Sequence, residues 1–170
     1  MAAVTPETAV AINRKKARYA RYADTKQWDK FEEEVALPDA QYDYQDVDGT
    51  TIDLGTPCKF ASTKHFTAFF RRFFARLQTL HNVGPGDFTQ TADDEDEVEA
   101  VFAFEDQLLA PPPLGSWAEL RGGGFYYETW RRVDGDWFLQ DLRMRRTYQK
   151  TTFLVGLAIF LQRKLGITLL

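Results

Sequence analysis

Apolar residues recur along this chain with two periods, and the switch between them divides it. Phe66, Phe69, Phe70, Phe73, Phe74 and Leu77 fall at i, i+3, i+4, i+7, i+8 and i+11. That spacing predicts an amphipathic helix whose wide stripe packs on a sheet, with Ser62 as its N-cap. Arg71, Arg72 and Arg76 lie off the stripe and read as a solvated face. Upstream, Thr5-Pro6 pairs an N-cap with proline at the first helical position, and the helix runs to about Tyr22. A second short helix after Asp24 carries Trp28, Phe31 and Val35, and Leu37-Pro38-Asp39 ends it. Gln41 to Val47 alternates as a short strand closed by Asp48-Gly49.

From Thr79 the period becomes two. Val98 to Leu109 reads as a strand after the acidic turn Asp93 to Glu97, and Pro111-Pro112-Pro113 marks a loop. Trp117 to Val133 is a long strand in which Gly122-Gly123-Gly124 permits a bend or bulge. Asp134-Gly135 signals a hairpin, and Asp136 to Tyr148 returns. Helices first, then a meander, predict an α+β fold with the N-terminal helices on one face of a strongly curved antiparallel or mixed sheet. Such a sheet makes a cone-shaped barrel that encloses a pocket.

Residues 151–170 stand apart. Thr151 to Leu161 carries no charge, yet eleven helical residues reach only ~17 Å of a ~30 Å hydrocarbon core. A transmembrane span is therefore not expected. The segment can close the mouth of the cone as a lid, pack in an oligomer contact, or touch a membrane surface, and the first two readings are preferred.

Composition fits a single domain of 170 residues with ample core. Fourteen Phe, seven Tyr and four Trp suit aromatic pocket walls, or simply an aromatic core. A net charge of −4 argues against a nucleic-acid partner. Cys58 stands alone, which excludes an internal disulfide and zinc-type spacing. Residues 1–7 show no secretory pattern, so a cytoplasmic setting is expected, with peripheral membrane contact as the variant.

Two segments carry candidate chemistry. Arg18 to Phe31 places Asp24 at a helix break, and Thr79 to Gly84 places His81 at a strand start. Together a carboxylate and an imidazole can move a proton at neutral pH. The competing readings are Asp24 as a cap with Gln27 three residues on, and His81 as an ordinary half-buried histidine. His65, at a helix start, reads as surface. Tyr19, Tyr22, Tyr44, Tyr126 and Tyr127 are packing residues by default, and Tyr126 and Tyr127 cannot both face inward. Arg143, Arg145 and Arg146 read as solvated; Arg143 and Arg145 share a face with Leu139 and Asp141, and would bind an anionic group if that face is inward. Two distant histidines offer no metal spacing, and no phosphate loop or G-x-S-x-G elbow is present.

From Asn13 to Tyr148 the chain resembles the SnoaL-like families of the nuclear transport factor 2-like superfamily, and scytalone dehydratases most of all. The likeness rests on Tyr22 to Asp29, Tyr42-Asp43-Tyr44, His81 with Val83-Gly84, and Val133 to Trp137. It implies that Asp24 and His81 form a proton-handling pair, and that Tyr44 holds a water or a substrate carbonyl. Tyr19 matches a tyrosine five residues before the aspartate in a related bile-acid dehydratase. The family's second pocket histidine, expected near Leu108, is missing. Its next polar pair falls on Gly124 and Tyr126, and the tyrosine before its aspartate is replaced by Ala23.

The resemblance divides the chain into an extension (1–10), a SnoaL-like domain (11–150) and the apolar segment (151–170). It implies a lyase, isomerase or cyclase without a cofactor, acting on a small polycyclic, polyketide- or terpenoid-like molecule of secondary metabolism. Asp24 and His81 would be catalytic. Tyr19, Tyr22, Trp28, Tyr44, Phe104 and Tyr126 would bind a small hydrophobic substrate, and a homodimer is expected. The alternative is a non-catalytic ligand-binding or dimerisation module, because this superfold hosts both.

Overall fold

The computed structural model describes residues 4–91 and 95–165. Helix α1 (Pro6–Asp24) starts at Thr5, whose hydroxyl accepts the Thr8 N–H. Residues 6–10, expected as an extension, are therefore its first turns. Its buried face includes Ile12, Tyr19 and Ala23, and also two lysines, Lys15 and Lys16. The chain leaves α1 through Thr25 and Lys26, whose φ is +60°, and enters α2 (Trp28–Glu34).

Strand β1 (Ala36–Gln45) begins five residues before the expected start, and Leu37-Pro38-Asp39 lies inside it. The physical reason is a register shift: β1 pairs with β6 at Ala36 and again from Gln41, and the interval between is irregular. Pro38 sits in that interval, where its missing N–H takes no ladder bond away. A two-residue strand, β2 (Lys59–Phe60), carries no periodic signal because it is too short for one.

Helix α3 (Thr63–Phe73) is capped by Ser62 as expected. Phe66, Phe70 and Phe74 are buried, Phe69, Phe73 and Leu77 half-buried, and the three arginines exposed. Phe66 stacks on Tyr42 at 4.1 Å between ring centroids and lies 5.4 Å from Phe31. Each such ring contributes about 1.5–3 kcal/mol by leaving water.

Strands β3 (Gln78–Gln90), β4 (Glu97–Leu109), β5 (Glu119–Val133) and β6 (Asp136–Thr151) form the antiparallel meander. Part of the expected acidic turn before β4, Asp93 and Asp94, lies outside the described residues. Trp117 is not in β5: it ends a 3-10 turn (Gly115–Trp117) and is exposed. The full order is β2-β1-β6-β5-β4-β3, with β1 parallel to β6, so the sheet is mixed. It curls without closing. Helix α1 lies along β3, and α2 and α3 pack beside β1. Helix α4 (Phe153–Leu165) follows β6; residues 166–170 of the expected apolar segment lie outside the described residues.

One irregularity decides which side chains face inward. Between Leu139 and Asp141 the β5–β6 register slips, leaving Gln140 as the extra residue. Beyond it Leu142, Met144 and Arg146 are buried, while Asp141, Arg143 and Arg145 are exposed. The inward arginine is therefore Arg146, and not Arg143 or Arg145. A bulge changes the strand's phase by one residue, so alternation counted from Leu139 points the wrong way.

Candidate active site

Asp24 is the last residue of α1, and His81 faces inward from β3 beside Thr79 and Val83. The helix end and the strand bring them into contact. Asp24 Oδ2 accepts the His81 backbone N–H at 2.9 Å, and Oδ1 lies 2.7 Å from His81 Nδ1. Burial pushes the Asp24 carboxyl up, but the hydrogen bonds and charge of His81 and the Thr79 hydroxyl outweigh it and hold it below the usual range. An ionised carboxylate only accepts. Nδ1 must therefore carry its hydrogen in the neutral ring, which leaves Nε2 as the basic nitrogen. Asp24 does not cap α2: the N-cap is Gln27, with no side-chain capping bond. His81 is on the cavity wall, and Asp24 sits behind it.

The cavity lies between the inner sheet face and helices α1 and α3. Its space, mouth included, is about 890 Å³. Trp28, Phe70 and Phe74 form an aromatic wall, with Leu108, Leu120 and Met144 opposite. Ile159 brings α4 to the same cavity. Phe153, Leu154, Leu157 and Phe160 of that helix are exposed.

Tyr19 and Tyr44 reach the cavity and hydrogen-bond to each other through their hydroxyls. Tyr126 packs edge-on against Tyr19 at 5.8 Å. Burial first, then their mutual proximity, raises all three phenols well above their ordinary range, so they stay protonated and can donate. Phe104 stacks behind Tyr126 at 4.3 Å, off the cavity wall. Tyr22 is also off the wall, and its hydroxyl donates to Glu34 at 2.7 Å. Trp28 is on the wall; its indole N–H is buried and has no hydrogen-bond partner. Tyr127 points outward, as alternation from Tyr126 requires.

Two charged pairs inside the cone have no counterpart in the sequence reading. The first is Lys16 with Glu128, both fully buried. The ammonium sits 3.9 Å from the Tyr19 ring centroid and 3.5 Å from that of Tyr126. Glu128 also accepts the Trp130 indole N–H at 2.9 Å. Burial lowers the lysine and raises the glutamate, each opposed by its partner. The second pair is Asp106 with Arg146, a two-pronged contact at 3.0 and 2.6 Å that lines the cavity. Arg146 Nε is buried without a partner. Asp106 lies two residues before Leu108 on the same strand, beside the position where a second histidine is expected. Gly122 makes the arginine's place: a Cβ there would meet Arg146 Nη1 at 1.8 Å. Neither pair is local, since the partners are 112 and 40 residues apart. Only the alternation Leu142, Met144, Arg146 hinted at the second.

Among the described residues, no group of three or more His, Cys, Asp or Glu could hold a metal, and no helix is long and apolar enough to cross a membrane.

A curled sheet covered by helices that encloses a cavity is the architecture of the nuclear transport factor 2-like superfamily. Within it the chain belongs to the SnoaL-like domain family, whose model matches residues 5–143. It is 41% identical over 149 residues to a probable cyclase, FGR4, of Gibberella zeae, covering 87% of this chain and 97% of that protein. Among solved structures, it is similar to a protein of Novosphingobium aromaticivorans assigned as a scytalone dehydratase (TM-score 0.66, 14% identity, 82% of this chain and 84% of that one). It is also similar to hexachlorocyclohexane dehydrochlorinase LinA-type3 of Novosphingobium barchaimii (TM-score 0.65, 13% identity, 86% and 91%). At these identities the structures speak for the fold alone.

Proposed function

We propose that this chain is an enzyme of the lyase/isomerase type that dehydrates, isomerises or cyclises a small polycyclic, polyketide- or terpenoid-like molecule of secondary metabolism. The observation that carries this reading is the Asp24–His81 contact, with Nε2 as the ring's basic nitrogen on the wall of an aromatic cavity. His81 Nε2 removes a proton from a carbon beside a carbonyl. Asp24 stabilises the imidazolium that forms. Tyr19 or Tyr44 donates to the developing enolate oxygen. The imidazolium then returns the proton, to a departing hydroxyl in a dehydration or to another carbon in an isomerisation or ring closure. One proton out and one proton in require no cofactor.

The relative from Gibberella zeae, named as a probable cyclase, supports this class. The unpartnered N–H groups of Trp28 and Arg146 favour a substrate that brings acceptor oxygens into an otherwise apolar cavity. Helix α4 is the lid in this reading, through Ile159, and a homodimer forms on the outer sheet face, where Phe125 and Tyr127 are exposed.

The test does not need the natural substrate. Wild-type protein and H81A are incubated in D₂O with a panel of polycyclic ketones, and deuterium uptake at the α-carbons is read by NMR. Catalysed uptake that vanishes in H81A supports the proposal. Ligand binding without any catalysed uptake favours the non-catalytic module.

A further inference from the structure

One row of the sheet carries polar groups of the cavity side by side. His81 of β3 is opposite Asp106 of β4, Asp106 is opposite Gly122 of β5, and Gly122 is opposite Gln149 of β6. His81, Asp106 and Gln149 all line the cavity. The side-chain place that Gly122 leaves open is filled by Arg146, whose Nη1 lies where a Cβ would stand, with Asp106 Oδ1 beside it. Imidazole, carboxylate, guanidinium and amide thus follow one another across four strands. Neighbouring strands are ~4.8 Å apart, so the guanidinium stands two spacings, about 10 Å, from the backbone of His81.

The guanidinium is fixed but not fully bonded. It carries five N–H donors in a rigid fork. Asp106 takes one on each Nη, at 3.0 and 2.6 Å. One donor remains on each Nη, and the Nε–H has no partner. Both side chains are 7% exposed and both line the cavity, whereas the sealed pair Lys16 and Glu128 reaches no part of it. The charge balance decides what the remaining donors can take. From the sequence, an inward arginine on this strand suggests an anionic ligand; its pairing with Asp106 argues for a neutral one. Asp106 already balances the guanidinium charge, and among the described residues the other charged side chains on the wall are Asp46 and Asp53. A carboxylate entering the cavity meets a wall on which aspartate predominates. A neutral oxygen meets donors without that repulsion.

We propose that Arg146, locked in place by Asp106, anchors the substrate and sets its specificity: it binds an uncharged acceptor oxygen, such as a carbonyl, on a different ring of the substrate from the one that His81 deprotonates. This inference rests on the proton-transfer reading above and narrows its substrate to neutral polycycles oxygenated at both ends. The two strand spacings between imidazole and guanidinium suit a fused ring system lying across the sheet. Phe70 and Phe74 give the ligand an apolar wall, but apolar contact is non-directional and fixes no orientation. A hydrogen bond at the far end supplies the missing constraint, and so selects which carbon is presented to His81 Nε2.

Calorimetric binding to the full chain is measured with three probes of one skeleton: a trans-decalin dione with one carbonyl on each ring, the decalone without the second carbonyl, and the keto acid with a carboxylate in its place. Wild type should bind the dione about tenfold or more tighter than the decalone, as expected for a hydrogen bond to a charged donor, and the keto acid more weakly than the decalone. H81A should keep this order, because the anchor does not use the ring. R146M/D106L removes both charges and strands neither, so the fold should survive. Its preference for the dione should fall to about one, with the decalone bound as in wild type. G122A pushes the guanidinium from its place and should lose the preference in the same way, which keeps the test open if the double variant does not fold. No dione preference in wild type, or one that survives without the arginine in place, overturns the anchor. Tightest binding of the keto acid overturns the neutral class. His81-dependent deuterium uptake by the decalone with no dione preference leaves the proton-transfer reading standing alone. An arginine-dependent preference with no uptake leaves the anchor and removes the enzyme, and failure of all three probes to bind removes both.

Discussion

Two acid–base contacts sit inside the cone, and they differ in what surrounds them. Lys16 and Glu128 are sealed beneath Tyr19 and Tyr126, with side chains 1% and 0% exposed. His81 and Asp24 are 9% and 15% exposed, and the histidine forms part of the cavity wall. Complete burial makes the first pair a structural commitment: each charge is tolerable only while its partner remains. Partial burial leaves the second pair within reach of a ligand, and in the proposed mechanism it acts as the reagent. Its carboxylate is held by two donors, both from His81, and the ring keeps one nitrogen open to the cavity. The comparison teaches that an inward-facing ion pair is not evidence of catalysis; an atom that can reach a substrate is.

The comparison is sharpened most by exchanging the damage. H81A should lower deuterium uptake by about 10²–10⁴-fold, the usual contribution of a positioned proton-transfer group, while the melting temperature moves little. E128A should do the reverse. Stranding Lys16 should destabilise the fold by about 3–5 kcal/mol, lowering Tm by roughly 10 °C in a scanning calorimeter. The double variant K16M/E128L should recover most of that loss, because no unpaired charge remains; a double variant as unstable as E128A would break the contrast.

A smaller effect appears in acid. The Asp24 carboxyl is held below its unfolded value of 3.8. Its contribution to stability is therefore complete above that pH and is lost as the pH falls through the lower folded value. Denaturant melts of D24N should show a shallower loss of stability below about pH 4 than wild type. The smallest effect is expected at Tyr22, which faces Glu34 and not the cavity. Y22F should cost about 0.5–1.5 kcal/mol for one lost hydrogen bond and leave deuterium uptake unchanged. A large activity loss in Y22F would move the boundary of the site.

What was legible in the sequence was local. The six-residue apolar stripe and Ser62 defined α3, and Asp134-Gly135 defined the last hairpin, because each signal spans a few residues. The contact between Asp24 and His81 was legible because the family resemblance pairs those two positions. What escaped was set by long-range pairing. Lys16 lies on the buried face of α1, but a lysine at that position reads as solvated until Glu128 arrives from β5. Arg146 was hidden by a single extra residue, Gln140, which reverses the phase of β6. Composition cannot reveal a bulge, and so it cannot reveal which of three nearby arginines turns inward.

The berth made by Gly122 has a meaning for descent as well as for packing. A methyl group at 122 and a guanidinium from 146 cannot share the same space. The two positions are therefore expected to change together: a side chain at 122 has to push the guanidinium away from Asp106, so lineages that keep this ion pair in place should keep the glycine. A tally of paired identities across relatives would display this as a missing combination, alanine with arginine, and its absence would mark which relatives retain the same polar corner of the cavity.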